Sequence, residues 1–322
     1  MKGKAIKIIL GVLITLFLVY FFMTQISVKD ILELFKRISL SLFMLGFILY
    51  ALSYLVRAFR FKILLNSKLR LKQLFHIVAL HTAMNNILPA RTGELSYIYL
   101  ITKQDIKGAK AASSLIISRI FDSITIILIF LTSIFFLENV PKVISSSLSI
   151  VYTMLFIILL LFFVLIFFGD VVVKLCKKMY NLVGGGKSKF VKRVFGIVER
   201  ILDDFKLIRS RRKIVALSAL SILIWLLQYS TLYVIIISSG ISISVVSIIV
   251  SITLMNLSAA LPIQGIGGFG TIEVSWVLGL ILFGVAKEVA IPIAFFNHII
   301  IIIYFMVLGG YSFIILNKSK NI

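Results

Sequence analysis

Leu261-Pro262-Ile263-Gln264-Gly265-Ile266-Gly267-Gly268-Phe269-Gly270-Thr271-Ile272-Glu273 interrupts an apolar region with a proline, four glycines and a carboxylate. Broken backbone leaves N–H and C=O groups unpaired. Hydrocarbon tolerates this only where protein or a water-filled cavity satisfies them. A carboxylate at the bilayer centre adds a cost of roughly 2.5–3.5 kcal/mol. Two costly features in one stretch mark a candidate site, provided the region lies in a membrane.

Composition supplies that condition. The 322-residue chain is 61% hydrophobic and 14% charged, with a mean hydropathy of +1.13. A soluble domain has nowhere to bury so much apolar surface, and no polar block is long enough to fold alone. An all-α polytopic membrane protein of one domain, residues 1–322, is expected. The single cysteine, Cys176, excludes an internal disulfide and a multi-cysteine metal site. His76, His81 and His298 are scattered without a Glu-x-x-His pair, so no metal or cofactor is expected, although His81 could line a cavity. The net charge of +22 sits in short basic segments beside apolar runs. That is the pattern of cytoplasmic loops and anionic lipid attraction, not of nucleic-acid binding.

Full spans need about 20 apolar residues, and they fall near 5–23, 40–56, 111–137, 148–168, 214–238 and 290–316. The first follows Met1-Lys2-Gly3-Lys4. It is too long for a signal-peptide core and lacks a small-x-small cleavage site, so it is read as an uncleaved span. Segments 74–88 and 245–261 are shorter and each ends at Leu-Pro. A glycine-containing stretch and a glutamate follow each: Leu88-Pro89-Ala90-Arg91-Thr92-Gly93-Glu94 in the first half, the opening stretch in the second. Fifteen helical residues rise about 22 Å, short of a roughly 30 Å core. About six full spans plus two re-entrant helical hairpins are therefore predicted.

Basic residues orient the spans. Lys2, Lys4 and Lys7 precede the first, Arg57 to Lys72 follow the second, and the connector 170–213 carries thirteen Lys or Arg. Segments 138–147 and 239–244 are nearly uncharged. Both termini, 57–73, 103–110 and 170–213 are then cytoplasmic, in a multi-pass protein expected in the plasma membrane. The first hairpin enters from inside and the second from outside. Two Pro/Gly-broken segments in corresponding positions of halves 1–147 and 148–322 point to an inverted-topology repeat.

Within the connector, Gly184-Gly185-Gly186-Lys187-Ser188 looks like the end of a phosphate-binding loop. Asn181 stands where that pattern needs glycine, and no buried strand precedes it, so it is read as a linker. Apolar residues at helical spacing across 190–208 predict a basic amphipathic helix on the inner membrane surface. Val28, Ile31, Leu32 and Phe35 predict a similar one outside.

Few charges lie in or beside the spans. Arg91 and Glu94 could pair locally; alternatively Arg91 receives an anionic group such as a lipid phosphate, which a guanidinium matches bidentately. Asn85 and Asn86 add amides nearby. Arg119 and Asp122 share a helix face, either as a local pair or with Arg119 reaching Glu94 or Glu273 across helices. Glu273 is suited to a helix N-terminus, to proton or cation coupling, or to an internal arginine. Gly265, Gly267, Gly268 and Gly270 permit a tight turn or close approach. Their dinucleotide-like spacing lacks any βαβ context. Arg57 and Arg60 are read as snorkelling from a helix end. No nucleophile–base pair is visible.

Asn86-x-x-Pro89-x-Arg91-x-Gly93-Glu94, Arg119-x-x-Asp122 and Pro262…Gly267-Gly268-x-Gly270-x-x-Glu273 together resemble the flippase-like transmembrane family. That family includes the N-terminal membrane region of lysylphosphatidylglycerol synthases, or multiple peptide resistance factors. The likeness covers nearly the whole chain and departs at Ser118, where the family often has a glutamate. It implies a bundle with re-entrant helices that moves lipids or lipid-linked molecules between leaflets. The synthases carry a soluble aminoacyl-transferase domain after this region. The present chain ends at Ile322, so no enzyme activity is expected of it. Asn86, Pro89, Arg91, Gly93, Glu94, Arg119, Asp122, Pro262, Gly267, Gly268, Gly270 and Glu273 are the candidate translocation path. The expected partners are membrane lipids with anionic or zwitterionic head groups, and a second copy or a membrane enzyme. The alternatives are a proton- or cation-coupled small-molecule transporter, or a non-transport scaffold for a lipid-modifying enzyme.

Overall fold

The computed structural model describes residues 28–88, 92–137, 142–182, 196, 210–240, 243–259 and 266–318. The expected span 5–23, nearly all of the expected surface helix 190–208, and the candidates Pro89, Arg91 and Pro262 lie outside these residues.

The described elements are helices: α1 (Val28–Arg37), α2 (Leu40–Leu65), α3 (Leu71–Ile87), α4 (Glu94–Thr102), α5 (Gly108–Phe135), α6 (Lys142–Phe167), α7 (Gly169–Leu182), α8 (Arg211–Ser238), α9 (Val245–Ala259), α10 (Thr271–Leu282) and α11 (Lys287–Lys318). Among the described residues, α2, α5, α8, α11 and Ile144–Leu161 of α6 are long and apolar enough to cross a bilayer. The protein is thus a polytopic membrane protein. The two short apolar segments form broken pairs, α3 with α4 and α9 with α10.

One boundary differs in a way that matters for the site. The second span was expected to stop at 56, where arginines begin, yet α2 runs to Leu65. Ser39 caps its start by accepting the Leu42 N–H at 3.2 Å, and Asn66, at φ 44°, turns the chain out of the helix. Ala58, Phe61, Leu64 and Leu65 are buried along the added stretch, so apolar packing continues through the charges.

The two halves repeat one order: span, broken pair, span. α2, α3, α4 and α5 correspond to α8, α9, α10 and α11. Two hydrogen bonds show that the leading spans α2 and α8 run antiparallel: Gln228 Nε2 donates to Ser53 Oγ at 2.6 Å, and Arg60 Nη1 donates to Ser221 Oγ at 2.8 Å. Moving along α2 means moving backwards along α8. The remaining packing is reciprocal: α3 lies against α11, the last span of the other half, and α9 lies against α5. That exchange fits an inverted repeat.

With no hydrophobic drive between helices in lipid, close backbone approach through small residues holds such pairs together. Gly309 of α11 abuts Ala83 of α3, and Gly279 of α10 abuts Ser251 of α9, so that a Cβ on either glycine would crowd its neighbour. The α6 helix packs chiefly on α5 and is little buried. The expected outer surface helix is α1, but one face meets protein instead of lipid. Ile31 and Leu34 are buried, and the Phe35 ring stands edge-on to Phe296 of α11 at 4.9 Å. Leu32 points away, 54% exposed.

Candidate functional site

The helix α2 carries Ser53, Arg57 and Arg60 at i, i+4 and i+7, which puts them on one face. That face looks into the bundle. Together with His81, Thr82, Asn85 and Asn86 of α3, Ser118 and Arg119 of α5, Trp225 and Gln228 of α8, Asn256 of α9, Trp276 of α10 and His298 of α11, Arg57 and Arg60 line a cavity of about 210 Å³. Both halves of the repeat contribute to it.

At its base Arg60, 1% exposed, holds Asp122 of α5 with both terminal nitrogens, at 2.6 and 3.0 Å. The Trp225 indole N–H donates to the same carboxylate at 3.0 Å. The expectation that Arg60 snorkels towards water is therefore corrected. A buried carboxylate needs a partner more than a helix end needs a solvated cation, because an unpaired charge in hydrocarbon is far costlier. Arg119 bonds Glu94 across helices at 2.9 Å, and stands 4.0 Å from Asp122. Of the pairings considered for Arg119, the cross-helix bond to Glu94 is the close one and the local pair with Asp122 is the loose one, while Asp122 is held mainly by Arg60. The Arg119 and Glu94 side chains are 34% and 28% exposed, so the polar network reaches the surface at this pair.

Arg57 differs from its neighbours. It lines the cavity, half-buried, yet among the described residues it makes no hydrogen bond or ion pair; the Nε atoms of all three arginines are buried without a partner there, but only Arg60 and Arg119 bond a carboxylate through their terminal nitrogens. Among the described residues, three guanidinium groups, Arg57, Arg60 and Arg119, thus face two carboxylates, Glu94 and Asp122, which leaves a positive charge in the cavity. Asn85 Oδ1 and Trp276 Nε1, in its wall, are also buried without partners among the described residues.

The hairpin tips bound this space. Gly93 precedes α4 where a Cβ would overlap Asn85 Cα and the Met84 carbonyl. Its role there is to let the returning arm lie directly on α3. His81 Nδ1 meets Ser96 Oγ at 3.2 Å, tying the two arms together. In the second hairpin Gly267, Gly268 and Gly270 have φ of 65°, 76° and 86°, the left-handed region that side chains disfavour. Glu273 is fully buried behind this turn. Its Oε2 accepts the Gly270 N–H at 2.7 Å, and its Oε1 is hydrogen-bonded to His298 Nδ1. No arginine reaches it among the described residues, and Glu273 itself does not line the cavity; His298 does.

Of the expected path, Asn86 and Arg119 line the cavity, Asp122 and Glu94 pair with its arginines, and Gly93 and the three later glycines shape the tips. Trp225 and Gln228 escaped the sequence reading, which gave Arg57 and Arg60 a snorkelling role and His298 no role, whereas all five line the cavity. One signal was present: Ser53, Arg57 and Arg60 share a helical face.

A family model described as lysylphosphatidylglycerol synthase TM region matches residues 8–310, a range that includes both hairpins and every cavity residue named above. No curated protein matches the chain.

Proposed function

Because the chain belongs to the lysylphosphatidylglycerol synthase TM region family, we propose that it moves a phospholipid or lipid-linked molecule between leaflets. The head group would cross through the polar cavity while the acyl chains stay in lipid. The observation that carries this reading is Arg57, a cation in the cavity wall with no carboxylate bound to it among the described residues. Intramembrane charges are costly and mark substrate pathways unless they are paired, and a guanidinium matches phosphate oxygens bidentately. The cavity volume of about 210 Å³ is below the usual 300–1,000 Å³ of sites that enclose a whole ligand. It suits a head group with tails outside. The partners are then lipids with an anionic or zwitterionic head group. The basic connector supports a plasma-membrane orientation with both termini cytoplasmic. With no reacting group assigned, the reading is transport and not catalysis.

The test is leaflet exchange of fluorescent phosphatidylglycerol in proteoliposomes holding the full chain. Wild type should exchange the probe and Arg57→Gln should slow it at least about tenfold, the loss expected for one charge-assisted hydrogen bond. Equal rates would remove Arg57 from the path. Gradient-driven uptake of a small solute without lipid exchange would favour the small-molecule alternative.

A further inference from the structure

We propose that Glu273 and His298 form the proton-binding site that couples proton movement to the translocation proposed above, an inference that rests on that reading. Capping alone does not account for this carboxylate. A helix cap uses one oxygen, and Oε2 on the Gly270 N–H supplies it. Glutamine caps as well as glutamate in this position, without the cost of burying a charge. The second oxygen, Oε1, is committed to His298 on α11. The carboxylate is fully buried and the imidazole is 4% exposed. The Phe269 ring covers the histidine at a centroid distance of 4.7 Å.

The histidine connects this hidden acid to the polar space. Nδ1 is held by Glu273, and the ring lines the cavity. Among the described residues, Nε2 makes no hydrogen bond. A proton taken up at Nε2 from cavity water lets the Nδ1 proton pass to Oε1, giving a neutral acid and a neutral imidazole. The reverse shift releases one proton. Intramembrane Asp, Glu and His chains serve this purpose in pumps and transporters. The charged or titratable groups sharing the cavity with His298 are Tyr50, Tyr54, Arg57 and Arg60 of α2, His81 of α3 and Arg119 of α5. The residues of α8, α9 and α10 that line it carry no charge. The α1 helix meets α11 through Phe296, two residues away and on the opposite side of the helix.

Proton binding would be felt at the tip. The Gly270 N–H bond to an ionised carboxylate is charge-assisted, roughly twice as strong as a neutral one. Protonation weakens the bond that closes the three-glycine turn. The short helix in that turn, Ile266–Gly268, packs on α3. A proton arriving in the second hairpin thereby loosens its contact with the first.

The experiment has two readouts on the full chain. Infrared difference spectra of the reconstituted protein should show a protonated-carboxyl band on acidification. Glu273→Gln should lack the band, and His298→Gln should move its frequency, because the hydrogen-bond partner of Oε1 changes. In proteoliposomes carrying fluorescent phosphatidylglycerol, one pH unit across the membrane should bias the leaflet ratio by up to about tenfold for one proton per lipid. Reversing the gradient should reverse the bias. Glu273→Gln, which mimics the neutral acid, should let lipid equilibrate without any gradient-dependent bias, at whatever rate the substitution leaves. A band that survives in Glu273→Gln, or no band in wild type, overturns the proton site whatever lipid does. Wild-type exchange unaffected by the gradient overturns the coupling and leaves the lipid reading intact. A band without any lipid exchange upholds the site and overturns the lipid reading and the coupling built on it.

Discussion

Arg60 and Asp122 stand 62 residues apart in sequence and meet in a two-point ion pair at 2.6 and 3.0 Å, closed off from solvent. The pair links α2 to α5, and Ser221 and Trp225 bring in α8. Three spans are thus tied at one point. Removing one member leaves the other charge buried, which costs about 3–5 kcal/mol, whereas replacing both with apolar groups is often neutral. Arg60→Leu and Asp122→Leu should each lower the unfolding temperature in detergent sharply, and the double variant should recover most of the loss. A double variant as unstable as either single one would contradict this account.

Arg57 should behave in the opposite way. Only one helical turn from Arg60, it has no bonded partner among the described residues, so Arg57→Gln removes a charge without orphaning another. Its unfolding temperature should stay close to that of wild type while lipid exchange falls. Thermal unfolding and the exchange assay on the same preparation separate the two arginines.

Tight packing at the first hairpin yields a steric prediction. Gly93→Ala forces a methyl into Asn85 Cα and the Met84 carbonyl, backbone that cannot swing away. It should lower stability by about 1–3 kcal/mol, the usual cost of overpacking. Gly310→Ala, which meets nothing within 4 Å, should be neutral or slightly stabilising in its helix. Thermal unfolding of the two variants is the check.

Orientation is tested by labelling. In a Cys176→Ser background, Lys177→Cys should react with an impermeant maleimide only from the cytoplasmic side, and Ser244→Cys only from outside. Both positions are exposed. Labelling of both from one side would overturn the orientation.

The parts of this fold that the sequence disclosed are those the bilayer itself imposes. A core about 30 Å thick demands long apolar runs, and Pro and Gly interrupt them only where something else satisfies the backbone. Hence the spans near 111–137, 214–238 and 290–316 and both broken pairs were legible. Partnerships were not. Arg57 and Arg60 follow an apolar run that is long enough to cross, so they read as its solvated end. Nothing local shows that Phe61, Leu64 and Leu65 carry the helix onward. Asp122 has Arg119 three residues away, and a local pair is the simplest reading. The partner it takes lies on a span remote in sequence. His298 and Glu273 are 25 residues apart on separate helices, a juxtaposition that only the crossing of α10 and α11 creates.

The antiparallel pairing of α2 with α8 has a consequence for motion. In a molecule made of two inverted copies, any shape taken by one copy is available to the other with the faces of the membrane exchanged. Here the copies are unequal: the first tip reaches the surface through Arg119 and Glu94, and the second is sealed around Glu273. Trading these two shapes would turn the molecule's opening from one face to the other. One conformation would thereby carry the outline of its opposite-facing counterpart, across the packed seam of α2 and α8.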